Sequence, residues 1–151
     1  MLGIHTDFSL QIRVASSLPL PEDTENTRPR IDFIVLFIDL TNNLSLETIR
    51  SSVKHVDIDY FLGHCCFVVT QAKNEAMHAV SIQEVTSLAD SYDSPLICSD
   101  LEKEEDRIFL SRKLVHLLQV SCGFCSDVTT LLLDSTRKSF VFEDELHGMM
   151  K

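Results

Sequence analysis

A strand, a helix and a second strand follow one another between Arg30 and Asn74, and this order restricts the fold more than any other feature of the chain. The segment Arg30–Leu40 is almost continuously apolar, which predicts a central strand buried on both faces. Ser45 can cap the helix that follows, and Cys65–Thr70 is the next strand. Apolar residues recur at helical spacing within that helix: Leu46, Ile49 and Val53. Two strands joined through a helix lie parallel, so the pattern predicts a parallel sheet.

The rest of the chain continues this alternation. The further predicted elements are a half-exposed strand at Ser9–Val14, a proline-bearing loop over 18–29, a helix at Ser81–Tyr92, a strand at Leu96–Cys98, a helix that starts among the acids of Glu102–Asp106 and ends at Gly123, and a short helix from Ser126 or Asp127 to Leu133. We therefore predict an α/β sandwich with a mostly parallel sheet. It forms one domain over residues 1–134, followed by a loose acidic tail over 135–151.

Charge and composition exclude several classes of function. The formal net charge is −10, which is opposite to the basic stripe that nucleic-acid binding needs. The longest strongly apolar run, Phe33–Ile38, is far shorter than the roughly 20 residues of a membrane-spanning helix. The first residues have no basic segment and no long apolar segment, so we expect no secretory signal. An odd number of cysteines, five, fits free thiols in a reducing compartment.

Three segments of the chain resemble parts of a Ras-like small GTPase. Asp32–Ile49 is similar to the fourth strand of that fold and the start of the next helix. Cys65–Asn74 is similar to its fifth strand and first base-recognition loop, and Pro95–Glu102 to its sixth strand and second base-recognition loop. The resemblance implies a Ras-like sandwich that lacks the first strand and the phosphate loop.

The nucleotide-binding motifs of that fold are missing here. No G-x-x-x-x-G-K-[ST] loop occurs, so no backbone cradle and no lysine are available for phosphates, and no D-x-x-G follows a strand. Asn74 replaces the aspartate that reads guanine, Ala72 replaces the lysine that packs on the base, and Asp100-Leu101-Glu102 replaces the S-A-K loop. These departures together argue against an enzyme, and we expect no cofactor. A divergent small GTPase that still binds nucleotide is the alternative.

The cysteines suggest a further alternative, a thiol-dependent metal or redox protein. Cys122-Gly123-Phe124-Cys125 is a C-x-x-C sequence, but a zinc site needs two more ligands and no second C-x-x-C exists. Redox motifs of this type open a helix, whereas this one closes a helix. No serine lies in a G-x-S-x-G elbow. A structural role for these cysteines is favoured.

Six short blocks, in order and spacing, resemble the vertebrate centromere protein M family. They are Leu18-Pro19-Leu20-Pro21, Arg28-Pro29-Arg30-Ile31-Asp32, His55-Val56-Asp57, Phe61-Leu62-Gly63, Ser94-Pro95-Leu96 and Leu114-Val115. The resemblance implies a pseudo-GTPase of the nucleus and the inner kinetochore that acts in mitotic chromosome segregation, with centromere proteins I, H and K as partners. That family carries a first strand and helix before the segment matching Leu10. A short isoform, a fragment and a misassigned start are the alternatives for this difference.

Two apolar segments are candidates for a partner surface. Tyr60-Phe61-Leu62 lies in a predicted loop, where it either plugs the sheet edge or contacts a partner. Leu131-Leu132-Leu133 spans about 200° of a helix, so one core-facing stripe cannot bury all three leucines. The family resemblance implies that Leu62 and Leu131 contact centromere protein I. Phe61 and Leu132, their neighbours in sequence, are included as candidates.

Overall fold

Strands and helices alternate through residues 8–124, the part of the chain that the computed structural model describes. The elements are β1 (Ile34–Asp39), α1 (Asn43–Ser52), β2 (Cys65–Thr70), α2 (Ile82–Ser91), β3 (Leu96–Cys98) and α3 (Glu104–Ser121). Short 3-10 helices lie between them at Val53–His55, Ile58–Phe61 and Glu75–Met77. This confirms the predicted α/β class. The helix predicted up to Leu133 and the predicted tail lie outside the described residues.

All three strands are parallel, in the order β1-β2-β3. β1 pairs with β2 along its whole length, from Ile34 opposite Cys65 to Asp39 opposite Thr70. On its other side β2 pairs with β3, where Val68 lies opposite Ile97. The middle position of the sheet therefore belongs to β2, whose first five residues are all buried.

The prediction that Arg30–Leu40 forms a central strand buried on both faces is wrong in two respects. β1 begins only at Ile34, because its partner β2 begins at the paired Cys65. β1 also lies at the edge of the sheet that residues 8–124 form, and its Phe37 side chain is 46% exposed. An apolar run indicates burial, but it does not say which strand of a sheet has two neighbours.

Helices cover both faces of the sheet. On one face, α1 and α2 bury a cluster whose sheet residues are Leu36, Ile38, Phe67 and Val69. On the other face, α3 packs Leu110 and Leu117 over Cys66, Val68 and Ile97. Alternate residues of β2 thus enter different clusters, as the two-residue period of a strand requires. No helix between residues 8 and 124 has the apolar length that crossing a bilayer requires.

The start of α1 differs from the prediction. Asn42, not Ser45, is the N-cap, and its side-chain oxygen accepts a hydrogen bond from the Leu44 N–H at 3.0 Å. Ser45 lies inside the first turn, where its Oγ accepts from the Asp39 N–H at 2.9 Å. The serine therefore ties the end of β1 to α1. Both residue types favour caps, and the tertiary position of Asp39 decides between them.

The predicted strand at Ser9–Val14 is also not formed. This segment has no regular secondary structure, and its apolar side chains are exposed, with Ile12 at 78% and Val14 at 95%. Alternating polarity predicts a strand only where a neighbouring strand supplies hydrogen bonds. Within residues 8–124 this segment has no such neighbour.

Two phenylalanines of the same sheet provide a test of this architecture. Phe67→Ala removes a side chain that is fully buried in β2 and should lower the free energy of unfolding by about 3–5 kcal/mol. Phe37→Ala, at a half-exposed position on β1, should cost clearly less because most of its cavity opens to water. Urea unfolding followed by circular dichroism measures both. Equal losses would contradict the assignment of β2 to the middle of the sheet.

Candidate functional site

Open α/β sheets bind ligands in the loops at the carboxyl ends of their strands, so these loops form the first candidate site. The first of these loops, after β1, is held by bonds within the chain. The Asp39 carboxylate accepts hydrogen bonds from the Thr41 N–H at 2.9 Å and from the Thr41 hydroxyl at 2.7 Å. The Leu40 carbonyl accepts from the N–H groups of Ala79 and Val80. The loop after β1 is thus bonded to the segment that leads into α2.

The loops after β2 and β3 are connected to each other by polar side chains. These are the loops in which the GTPase resemblance would put base recognition. The Gln71 side chain donates to the Glu102 carboxylate at 3.4 Å, and the Lys73 ammonium lies 3.2 Å from the Asp106 carboxylate. His78 Nε2 is 2.8 Å from the Gln71 carbonyl oxygen. The side chains of Gln71, Lys73 and His78 therefore have partners within the chain.

The residues that replace the guanine-reading motifs have surroundings that do not suit a base. Ala72 is buried, so its methyl group presents no surface on which a base could stack. Asp100 has one carboxylate oxygen, Oδ1, that is buried without a hydrogen-bond partner in residues 8–124. A carboxylate accepts hydrogen bonds and donates none when ionised, so it cannot satisfy the carbonyl oxygen of guanine.

The cysteines of the sheet are placed for packing. Cys65 and Cys66 are buried in opposite faces of β2. Burial raises the pKa of the Cys65 thiol to about 12 and also raises the pKa of Cys66. The pKa of Cys98 is raised by burial and by the nearby Asp100 carboxylate. Within the described range, no three His, Cys, Asp or Glu side chains are grouped as a metal site requires.

The C-x-x-C pair is only partly described. Cys122 is exposed just after α3, and Cys125 lies beyond the described residues. Gly123 follows Cys122 with φ +77° and ends the helix as predicted, because this left-handed conformation favours glycine. The motif therefore begins at a helix C-terminus, where the helix dipole does not stabilise a thiolate.

The second candidate site is the turn Asp57–Leu62, which includes the 3-10 helix Ile58–Phe61. Asp57 caps this helix, since its carboxylate accepts from the Asp59 N–H at 3.1 Å. The Leu62 N–H donates to the Asp59 carbonyl. Gly63 then turns the chain into β2 with φ +98°. We call this segment the apolar turn.

Two aromatic residues fasten the apolar turn to the domain. The Tyr60 hydroxyl donates to the Ile31 carbonyl oxygen at 2.9 Å, and the Phe61 ring lies 4.6 Å from the Tyr92 ring, centroid to centroid. Both Tyr60 and Phe61 pack against the cluster under α1 and α2. This packing fits the alternative in which the segment plugs the sheet edge, and Phe61 supports the turn from the core side. A contact of Phe61 with a partner stays a prediction.

The apolar residues at the two ends of the apolar turn are exposed, unlike Tyr60 and Phe61. Leu62 is 76% exposed, as a partner contact requires. Ile58, which the predicted set does not include, is 75% exposed. The signal that could have found it is a β-branched apolar residue between two aspartates, in a segment too short to bury it. The other two candidates, Leu131 and Leu132, lie outside the described residues.

Comparison with known proteins identifies relatives over nearly the whole chain. The family model described as Centromere protein M (CENP-M) matches residues 1–140. Centromere protein M of Xenopus laevis is 36% identical over 145 residues, which cover 96% of this chain and 81% of that protein. The human protein of the same name is 39% identical over 130 residues, covering 86% and 71%. The Danio rerio protein is 37% identical over 130 residues, covering 86% and 70%.

Thiol labelling tests the structural role of the sheet cysteines. At mildly alkaline pH a thiol whose pKa is raised stays protonated, and only the thiolate reacts with iodoacetamide. Cys65 and Cys66 should therefore resist labelling in the folded protein, whereas the exposed Cys122 should be labelled. Peptide mass spectrometry gives the extent at each site, and guanidinium-unfolded protein is the control in which all three react. Rapid labelling of Cys65 in the folded chain would contradict the burial of β2.

Proposed function

The chain belongs to the centromere protein M family, and we propose that it is a non-enzymatic structural subunit of the inner kinetochore. Membership makes it a nuclear protein of the centromere, the region of the chromosome on which the kinetochore forms. The family match over residues 1–140 is the observation that carries the proposal. The role we infer is to hold partner proteins together so that chromosomes segregate in mitosis.

The proposed architecture is that of a Ras-like pseudo-GTPase. Its support is the parallel sheet with α1 and α2 on one face and α3 on the other, together with the segment order that the sequence shares with small GTPases. The chain lacks the phosphate loop of that fold. A scaffold of this kind keeps a rigid outer surface for protein contacts after its ligand site is lost.

A divergent GTPase that keeps nucleotide binding is the alternative function. It is disfavoured by the bonds that join the loops after β2 and β3. A base entering between these loops would have to break the contact of Lys73 with Asp106 and that of Gln71 with Glu102. No phosphate loop would offset that loss.

Centromere proteins I, H and K are the proposed partners, since the family resemblance names them. The structural support is the apolar turn, where Leu62 presents a large apolar side chain that the fold does not use. A few well-buried residues carry most of the binding energy in protein interfaces, and burying an exposed leucine is itself favourable. Leu131 and Leu132 complete the proposed surface on the strength of the sequence alone.

Nucleotide titration separates the two functions. Fluorescently labelled GTP and GDP are added to the purified full chain with Mg²⁺, and a nucleotide-free Ras-like GTPase serves as the positive control. The pseudo-GTPase proposal expects no saturable change in fluorescence anisotropy, because the sequence contains no G-x-x-x-x-G-K-[ST] motif to hold phosphates. Binding in the micromolar range would support the divergent GTPase instead.

Leucine-to-glutamate variants test the partner surface. Leu62→Glu and Leu131→Glu should each leave the unfolding curve unchanged and abolish co-purification with a co-expressed complex of centromere proteins H, I and K. The expected loss is about 2 kcal/mol or more, because a charge replaces an apolar contact at the interface. Leu44→Glu is the matched control, since Leu44 is 70% exposed on α1. A variant that still co-purifies removes its residue from the surface.

A further inference from the structure

We infer that Ile58 binds the partner together with Leu62, and that the apolar turn fits an apolar groove whose rim carries lysine or arginine side chains. The inference rests on the proposed function, because it describes the partner of the same surface. It adds a contact residue at the other end of the turn and states the chemistry of the surface that receives it.

The exposure of the two side chains is the first observation. Ile58 and Leu62 are 75% and 76% exposed, although each is large enough to contribute to a core. Burying such a side chain is strongly favourable. The fold leaves this contribution unused at two positions of one short turn, and a partner surface can use both.

The rigidity of the turn is the second observation. The Asp57 cap, the Tyr60 hydrogen bond to Ile31 and the packing of Phe61 on Tyr92 fix the backbone between the two exposed side chains. A segment that is already fixed loses little conformational entropy when it binds. Tyr60 and Phe61 pack against the cluster under α1 and α2, whereas Ile58 and Leu62 are exposed at the two ends of the same fixed turn. A groove is the partner surface that can cover both ends.

Charge defines the rim of that groove. The apolar turn contains two carboxylates, Asp57 and Asp59, and no cationic side chain. The carboxylate of Asp57 caps the helix, whereas that of Asp59 takes part in no hydrogen bond or ion pair within residues 8–124. Lys54 and His55 lie in the preceding 3-10 helix, outside the turn. A partner that covers Ile58 comes beside the carboxylate of the next residue, Asp59, and a basic rim complements that charge.

The same charges disfavour other occupants. A second copy of the chain would bring Asp59 against another acidic turn, in a molecule whose formal charge is already −10. Nucleic acid and anionic membranes would be repelled by the same carboxylates. A protein groove with basic residues at its edge is the occupant that satisfies both the apolar and the charged part of the turn.

The test measures affinity for the co-expressed complex of centromere proteins H, I and K by biolayer interferometry. Ile58→Glu should weaken binding by at least about tenfold, and Ile58→Ala should weaken it less, because alanine shortens the apolar side chain without adding charge.

Asp59→Lys should weaken binding several-fold and flatten its dependence on salt. Leu44→Glu should bind like the wild type. Circular dichroism and thermal unfolding show whether each variant keeps the fold, and Ile58→Ala is decisive if Ile58→Glu does not.

The outcomes separate the inference from the function on which it rests. If the wild type does not bind the complex, the proposed partners are wrong and the inference falls with them. If the wild type binds, Leu62→Glu does not, and both Ile58 variants bind like the wild type, the proposed function stands and the role of Ile58 is overturned. If Asp59→Lys binds as tightly as the wild type at low salt, the basic rim is overturned.

Discussion

Burial of β2 on both of its faces determines how the other elements of residues 8–124 pack. Its residues Cys65–Val69 are all buried, and the strand is hydrogen-bonded to β1 on one side and β3 on the other. Since alternate side chains point to opposite faces, one short strand supplies the centre of both hydrophobic clusters. No other strand of the described sheet is shared to the same extent by the helices of both faces. β2 therefore determines where α1, α2 and α3 can pack.

The position of β2 also explains the two ends of the sheet. At the carboxyl ends, the loop after β2 is bonded to the loop after β3 through Gln71 and Glu102, and to the first turn of α3 through Lys73 and Asp106. At the amino ends, the chain enters β2 through Gly63, directly after the apolar turn. The first end is closed by its own polar groups, whereas the second presents apolar side chains outward. This contrast is why a function in protein binding is better supported than one in ligand chemistry.

Much of the fold could be predicted from the sequence because its signals are local. The bounds of β2 and β3 follow from apolar runs between polar loops, the helix α2 follows from its periodicity, and the end of α3 follows from Gly123. Among the candidate residues in the described range, Leu62 is exposed and Phe61 packs against the core, and their role in partner binding stays a prediction. Ile58, which the predicted set does not include, is exposed as well. In the sequence, Tyr60-Phe61-Leu62 shows only that apolar residues lie in a loop. This signal does not distinguish residues that pack against the sheet edge from residues that contact a partner.

Residue identity and spacing along the chain were enough to predict the type of each strong element and the family, and to show that these 151 residues contain no G-x-x-x-x-G-K-[ST] motif. The three-dimensional arrangement was needed to show that β1 lies at the edge of the described sheet, that Ser9–Val14 pairs with nothing there, and that Asn42 rather than Ser45 caps α1. It also decided which apolar side chains of the turn face water. The physical reason is the same in each case. Burial and hydrogen bonding of a residue depend on which other residues lie beside it in space, and these can be far away in the sequence.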